Sequence, residues 1–291
     1  MLIYEILIIS SDYLKVFVSD KIREIRFSNL WGGPLNENSG HLFAAQHALN
    51  IYKSNSIYSF IPKCACSTMR LSLALSNGLI SDIKKYNWIH SNNTTFSASL
   101  SELICAKFTF VILRNPFLRL ASTYLDKIVN STIDTARVKE KLLKKNLHIK
   151  ADELTFNKFA KLISEKDILN FDNHWRPQVD FLVYNNYDLY VQLEKFDDYK
   201  SLIETKSNIK IIDARKLTMH GNDIFKKIED KNFSNVKPSE ILNLRKKGMT
   251  PSLISMYDKV SKKIISDSFK NDVILYDKYF NVKCSEFKII D

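Results

Sequence analysis

The chain has 291 residues, 45% of them apolar and 26% charged, enough to bury a substantial core and therefore not an intrinsically disordered polymer. Four cysteines in a chain of this length exclude a disulfide-stapled secreted scaffold, and a net charge of +11 asks for nucleic acid, an anionic lipid surface or an anionic substrate. Six glycines, no Pro/Gly/Ser-rich linker and no internal repeat predict one domain over 1–291, divided into an N-terminal β appendage (1–50) and a core (51–291).

Met1 to Ser10 is apolar but interrupted by Glu5, too short for a membrane span and without the basic start of a secretory signal. Alternation through Met1–Ile9, Tyr13–Val18 and Ile22–Phe27 predicts three short strands in antiparallel hairpins, lying on or over the edge of the main sheet. Ile57 to Ile61 then reads as a buried strand, Pro62 to Cys66 as a turn, and Ser67 onward as a helix. Strand, short turn and helix in that order aim backbone N–H groups and a helix N-terminus at a bound anion. Lys63 adds a point charge, and the Ser67 and Thr68 hydroxyls fall where the first helical turn has unpaired donors. Alone, the segment fits an ordinary N-capped helix with a surface lysine equally well. It is not a nucleotide-triphosphatase loop, because the G-x-x-x-x-G-K-[ST] spacing is absent.

Phe108 to Ser122 repeats the design: a β-rich run, Arg114 at its end, Pro116 at the first helical position, then an apolar helix carrying Arg119 and Ser122. The Arg114 fork suits a phosphate. Two anion sites in one α/β unit predict a ligand phosphorylated at two places. Thr135 to Glu165 reads as amphipathic helix, with Leu142, Leu143, Leu147, Phe156, Phe159, Leu162 and Ile163 on one face bordering an acceptor site. Tyr187–Glu194 reads as a strand followed by a helix through Tyr199 and Leu202, and Asn208–Ile212 as a strand completing a small parallel sheet. From Asp213 to Pro251 the pattern is irregular, with Arg245-Lys246-Lys247-Gly248 as a basic, flexible turn ahead of a helix at Ser252–Ser266. The fold class is therefore α/β: a P-loop-like parallel sheet flanked by helices, with a small N-terminal antiparallel β appendage. Lysines over Val138–Lys150 and Lys226–Lys231 alternate with apolar or acidic residues, as on solvated helices, so no nucleic-acid partner is expected. Cys64-x-Cys66 has no second ligand pair, so no metal is expected either, although Cys66 beside Lys63 and a helix N-terminus has the setting of a low-pKa thiol.

Pro62–Ser67 and Arg114–Lys127 together resemble the two nucleotide-binding motifs of the carbohydrate sulfotransferase family, which uses 3′-phosphoadenosine 5′-phosphosulfate as donor. The first is similar to a P-K-x-A-C-[ST] loop and the second to R-x-P-F-x-R-L-x-S-x-Y-x-D-K. Asn173-His174-Trp175-Arg176-Pro177-Gln178 is similar to the family's H-W-x-P-Q stretch, so the resemblance covers about residues 56–200. It implies that Lys63 contacts the phosphosulfate and stabilises the leaving phosphate. It also implies that the amides of Cys64, Ala65, Cys66 and Ser67, with the Ser67 and Thr68 hydroxyls, hold the 5′-phosphate. Arg114 and Ser122 would bind the 3′-phosphate, and a late basic loop, here Arg245, Lys246, Lys247 and Gly248, would close over the adenosine. Cys64 stands where Thr or Val is common and Met69 where a polar residue is frequent.

The resemblance implies sulfuryl transfer to an acceptor hydroxyl on a carbohydrate, and the basic charge suits an anionic acceptor. The alternatives are a small-molecule or lipid-linked hydroxyl, a non-catalytic protein binding the donor or its product, and a nucleotide kinase or phosphatase. A base taking the hydroxyl proton adds ~10²–10⁴-fold, and histidine suits the task. His90, in Tyr86–Asn92 between the motifs, is the first candidate and His174 the rival, the latter read as a structural corner lining the acceptor cleft. Glu102 and Asp126 are carboxylate alternatives, with Asp126 expected as a helix-surface partner of Lys127 or Arg119. His41, His47, His148 and His220 read as structural or solvated. Animal members of the family carry a membrane anchor; its absence here predicts a soluble, cytoplasmic enzyme of bacterial type.

Overall fold

The computed structural model describes residues 22–28, 33–92, 94–130, 138–140, 142–144, 150–214, 217 and 224–290. Its centre is a four-stranded sheet in the order β1 (Ala48–Ile51), β2 (Ser56–Ser59), β3 (Phe108–Leu113), β4 (Leu189–Gln192). β1 pairs antiparallel with β2, while β2, β3 and β4 are mutually parallel. Thr109 to Leu113 are buried without interruption, the pattern of a parallel strand covered on both faces. Each parallel strand leads into a helix: β2 into Cys66–Ser76, β3 into Pro116–Tyr124 and β4, after a short 3₁₀ turn, into Phe196–Ser207. The loops leaving these strands therefore gather at one edge of the sheet, the carboxyl end where open α/β sheets place their ligands.

Local chemistry accounts for the helix starts. Pro116 supplies a preset φ at N1, and the Asn115 side chain accepts the Phe117 N–H at 2.9 Å. Past Tyr124 the helix widens into a π-turn over Leu125–Val129. An aromatic cluster of Phe117, Tyr124, Phe156, Phe159 and Tyr257, with ring centroids 4.8 to 5.5 Å apart in its closest pairs, packs behind this helix. Trp175 meets Phe159 edge-on and donates its indole N–H to the Ile168 carbonyl at 2.9 Å.

Four expectations need correction. The first two hairpin strands fall outside the described residues, and of the third only a single antiparallel bridge forms, Ile25 to Tyr184. That segment is held mainly by Arg23, which donates to the Ala106 and Lys107 carbonyls and pairs with Asp188 at 2.6 Å. The division at 50/51 cuts through β1, whose four residues are all buried in the central sheet; four residues around an Asn carry too little periodicity to announce a strand. Asn208–Ile212 forms no strand. Asn208 ends the preceding helix in the left-handed region at φ 51°, Ile211 N–H goes to Glu204, and Ile212 N–H goes to the Ser72 hydroxyl at 2.8 Å, so its donors meet side chains. Finally, the stretch read as irregular contains a two-stranded parallel sheet, β5 (Lys226–Ile228) with β6 (Met249–Pro251), and the helix Pro238–Lys246 between them.

Candidate functional site

The loop after β2 is strained and pinned. Lys63 (φ 70°) and Ala65 (φ 54°) both occupy the left-handed region, which costs a non-glycine residue on the order of 1–3 kcal/mol and persists only where surroundings enforce it. The enforcing contacts are specific. The buried Cys64 thiol donates to Gln178 Oε1 at 3.4 Å, Pro62 O accepts Arg119 Nε at 3.0 Å, and Lys63 O accepts an Arg114 guanidinium N–H at 3.2 Å. The result is a Cys66–Ser76 helix whose N-cap is Ala65, with no side chain capping it, at the sheet's carboxyl end. Its first-turn N–H groups and partial positive charge point where an anion would sit. Ser67 is half-buried there. Thr68 is buried, and its hydroxyl accepts the Ala214 N–H at 3.2 Å, so it positions the 212–214 segment beside the loop instead of lining the loop mouth.

Arg114 leaves β3 beside this loop. Its N–H donates to Gln178 Oε1 at 3.0 Å and its carbonyl accepts Gln178 Nε2 at 2.9 Å. One amide side chain thus clamps both anion loops. Gln178 is itself held by Asp272 of the Lys270–Phe280 helix, which accepts the N–H groups of Gln178 (2.7 Å) and Val179 (3.0 Å). Burial pushes the Asp272 carboxyl up to about 6, against those donors and the Arg119 charge. The buried Arg119 spends its fork on carbonyls of Pro62, Arg176 and Asn173, tying the H-W-x-P-Q segment to the Lys63 loop. Ser122 lies buried further along the Arg119 helix. Gln178 closes the H-W-x-P-Q stretch, but its clamping role carried no local signal, and neither did Asp272.

The charged side chains form one cluster. Lys63 Nζ lies 2.9 Å from Asp126 Oδ2, and Lys127 Nζ lies 3.3 Å from the same oxygen. Asp126 is therefore a largely buried partner of Lys63, and its expected place on the helix surface is corrected. His174 donates Nδ1–H to Asp172 Oδ1 at 2.6 Å; its backbone N–H goes to the same oxygen at 2.9 Å, and its carbonyl accepts the Thr123 hydroxyl at 3.0 Å. Burial pulls the His174 pKa down; Asp172 raises it in part, and the Lys127 and Lys63 cations lower it further. With Nδ1–H engaged by Asp172, Nε2 is left as the ring's basic nitrogen. Lys63 is likewise pulled down by burial and raised by Asp126, while Lys127 and Arg114 oppose its charge.

His90 is exposed on the short helix Trp88–Ser91, and His174 carries a carboxylate partner and belongs to the lysine cluster. Glu102 is spent on a capping box with Ser99 and on Asn50. His47, packed among Phe43, Phe60 and Phe181, is pulled by burial to about 4 and anchors the Asn173 side chain through Nε2 at 3.3 Å; His148 and His220 lie outside the described residues. Burial pushes the Cys64 thiol up to about 12, so it is a packing residue.

Arg245, Lys246, Lys247 and Gly248 are the last turn of the Pro238–Lys246 helix and its left-handed stop, Gly248 at φ 77°. Arg245 is buried and donates to Leu125 O, Asn130 Oδ1 and Thr250 Oγ1; Lys246 and Lys247 are exposed. The reading of this segment as a flexible phosphate loop is corrected, because the helix requires its backbone and the interior its arginine. Among the described residues no three His, Cys, Asp or Glu side chains gather as metal ligands, and no helix is long and apolar enough to cross a membrane.

The sequence profile of the sulfotransferase family matches residues 47–279, a span that contains both anion loops, the histidine pair and Asp272. Carbohydrate sulfotransferase 14 of Danio rerio is 23% identical over 145 residues, 45% of this chain and 40% of that protein, so the match spans less than half of either. No solved structure matches.

Proposed function

The chain belongs to the sulfotransferase family, and from that premise we propose that it transfers a sulfuryl group from 3′-phosphoadenosine 5′-phosphosulfate to an acceptor hydroxyl, that of a carbohydrate. The observation carrying this reading is the pair of strand-to-helix loops, one with Lys63 and an uncapped helix N-terminus and one with Arg114, locked together through Gln178. Two rigidly spaced cationic sites suit a nucleotide bearing separate 5′ and 3′ anions. The sugar acceptor is favoured by the zebrafish relative, whose name specifies carbohydrate, and by the basic charge of the chain.

On this reading the amides of Ala65 to Ser67 and the Lys63 ammonium hold the 5′ group, and Arg114 with Ser122 holds the 3′-phosphate. The donor supplies an activated sulfuryl group on a good leaving phosphate. His174 Nε2 takes the proton from the attacking hydroxyl, and Asp172 stabilises the imidazolium that results. As the new S–O bond forms, the bond to the phosphate breaks and its electron pair stays on the phosphate oxygen, where Lys63 offsets the charge. Buried positioning through Arg119, Gln178 and Asp272 keeps these groups in place before any ligand arrives, which is where most of the acceleration in such a transfer originates.

Calorimetric titration with adenosine 3′,5′-bisphosphate, 5′-AMP and ATP·Mg²⁺ tests the reading. We expect micromolar or tighter binding of the bisphosphate, roughly −8 kcal/mol, and little for 5′-AMP. Preference for ATP·Mg²⁺, or binding of none of the three, would overturn it.

A further inference from the structure

The Pro116–Tyr124 helix does not simply end. It widens at Leu125–Val129 into a π-turn, a rare form that is frequent at functional sites. The widening is held in place from outside: buried Arg245 donates to the Leu125 carbonyl at 3.0 Å and to the Asn130 side chain at 2.5 Å. Leu125, Ile128 and Val129 of this turn are core residues, and the two that are not are Asp126 and Lys127.

Both are largely shielded, with side chains 13% and 16% exposed, and Lys63 beside them is 14% exposed. Two ammonium groups, those of Lys63 and Lys127, share a single carboxylate oxygen of Asp126 in a largely shielded setting. The charge of Lys127 bears on Lys63 on one side and on both Asp172 and His174 on the other. Lys127 therefore lies beside the cation of the donor loop, both held on the same Asp126 oxygen. A sulfuryl group carried on a phosphate oxygen that Lys63 holds would come next to Lys127.

We propose that Lys127 reads the sulfuryl group of the donor, distinguishing phosphosulfate from the desulfonated bisphosphate, with Asp126 as the counter-ion that holds Lys127 and Lys63 side by side. The inference rests on the sulfotransferase reading above. Lys63 touches an anion that donor and product have in common, whereas Lys127 pairs with charge that only the donor brings. The carboxylate is the internal stand-in for that charge, and the arriving sulfuryl oxygens displace it from Lys127.

The test compares the affinities of 3′-phosphoadenosine 5′-phosphosulfate and adenosine 3′,5′-bisphosphate, by calorimetry in the cold, for the unsubstituted protein, Lys127→Met and Lys127→Arg. For Lys127→Met we expect bisphosphate affinity within about twofold of the unsubstituted protein and phosphosulfate affinity about tenfold or more weaker, with partial recovery in Lys127→Arg, the size of a charge-assisted hydrogen bond. Unchanged phosphosulfate affinity in Lys127→Met, or an equal loss for both nucleotides, overturns the proposal while leaving the sulfotransferase reading standing. If the unsubstituted protein binds neither nucleotide, both fail together.

Discussion

Two segments of this chain look alike as text: Pro62-Lys63-Cys64-Ala65-Cys66-Ser67 and Arg245-Lys246-Lys247-Gly248 are both short, basic and adjacent to a helix. In the fold they are opposites. The first leaves the carboxyl end of a buried strand, holds two residues in the left-handed region and opens onto a helix N-terminus that no side chain caps. The second closes a helix: its arginine is turned inward to support a π-turn, its lysines stand in solvent, and its glycine only stops the helix. A cationic cluster becomes an anion site when the backbone behind it is fixed and its own donors are left over. Where the helix consumes those donors, the same residue types are structural.

The largest effect that would sharpen this contrast is in Lys63→Ala. Transfer should fall by about 10³-fold, in the range for removing one charge-stabilising group, while the melting temperature moves little because Asp126 keeps Lys127 as partner. Lys246→Ala and Lys247→Ala assayed alongside should leave both rate and stability unchanged; a rate loss there would break the comparison.

Arg245→Met should act the other way round. Losing the donors to Leu125, Asn130 and Thr250 should cost about 3 kcal/mol in chemical denaturation, the size expected when a buried charged network is broken. An unaltered denaturation curve with weakened nucleotide binding would return Arg245 to the donor site.

Gln178→Leu removes the clamp common to both anion loops. About 2 kcal/mol of stability should be lost, since Arg114 N–H and C=O both lose their partner, and bisphosphate affinity should drop together with it. If affinity survives at full stability, the two loops are held in register by something other than this side chain.

The smallest effects are in pH. His47, pulled from 6.5 to about 4 by burial, stays neutral in the fold while the unfolded chain takes up a proton, so its contribution is present above 6.5 and is lost as pH falls toward 4. Asp272, pushed from 3.8 to about 6, holds its proton in the fold longer than in the unfolded chain, so its contribution is present below 3.8 and is lost as pH rises to 6. Relative to the unsubstituted protein, His47→Gln should gain stability as pH drops from 6 to 4, and Asp272→Asn should gain it as pH rises over the same interval. Each slope should be at most about 1.4 kcal/mol per pH unit, read from urea midpoints. Parallel curves for either variant would show that its group does not titrate differently on folding.

Much of the site's framework was legible before any coordinates. Phe108–Leu113 is a β-rich run broken only by Thr109, Pro116 marks a first helical turn, and Lys63 and Arg114 stand at strand ends, so strand, loop and helix followed from neighbours a few residues apart. The same local reasoning failed at Asn208–Ile212. Alternation there is compatible with any set of hydrogen-bond acceptors, and the acceptors turned out to be Glu204 and the Ser72 hydroxyl. β1 failed for the opposite reason, since four residues hold too short a pattern to register.

What could be read from residue order was the chemistry on offer and its local geometry: two anion loops, their cations, a short list of histidines, and the family motifs that contain them. What required the folded chain was the choice among them. Lys63 meets Asp126, Gln178 meets both Arg114 and Cys64, Asp272 meets the backbone of Gln178, and the His174 carbonyl meets the Thr123 hydroxyl. Each of those pairings joins segments far apart in sequence through the return of the chain across the sheet. Periodicity and capping act within a turn or two of helix or strand, whereas burial and long-range charge depend on which surfaces the whole chain brings together.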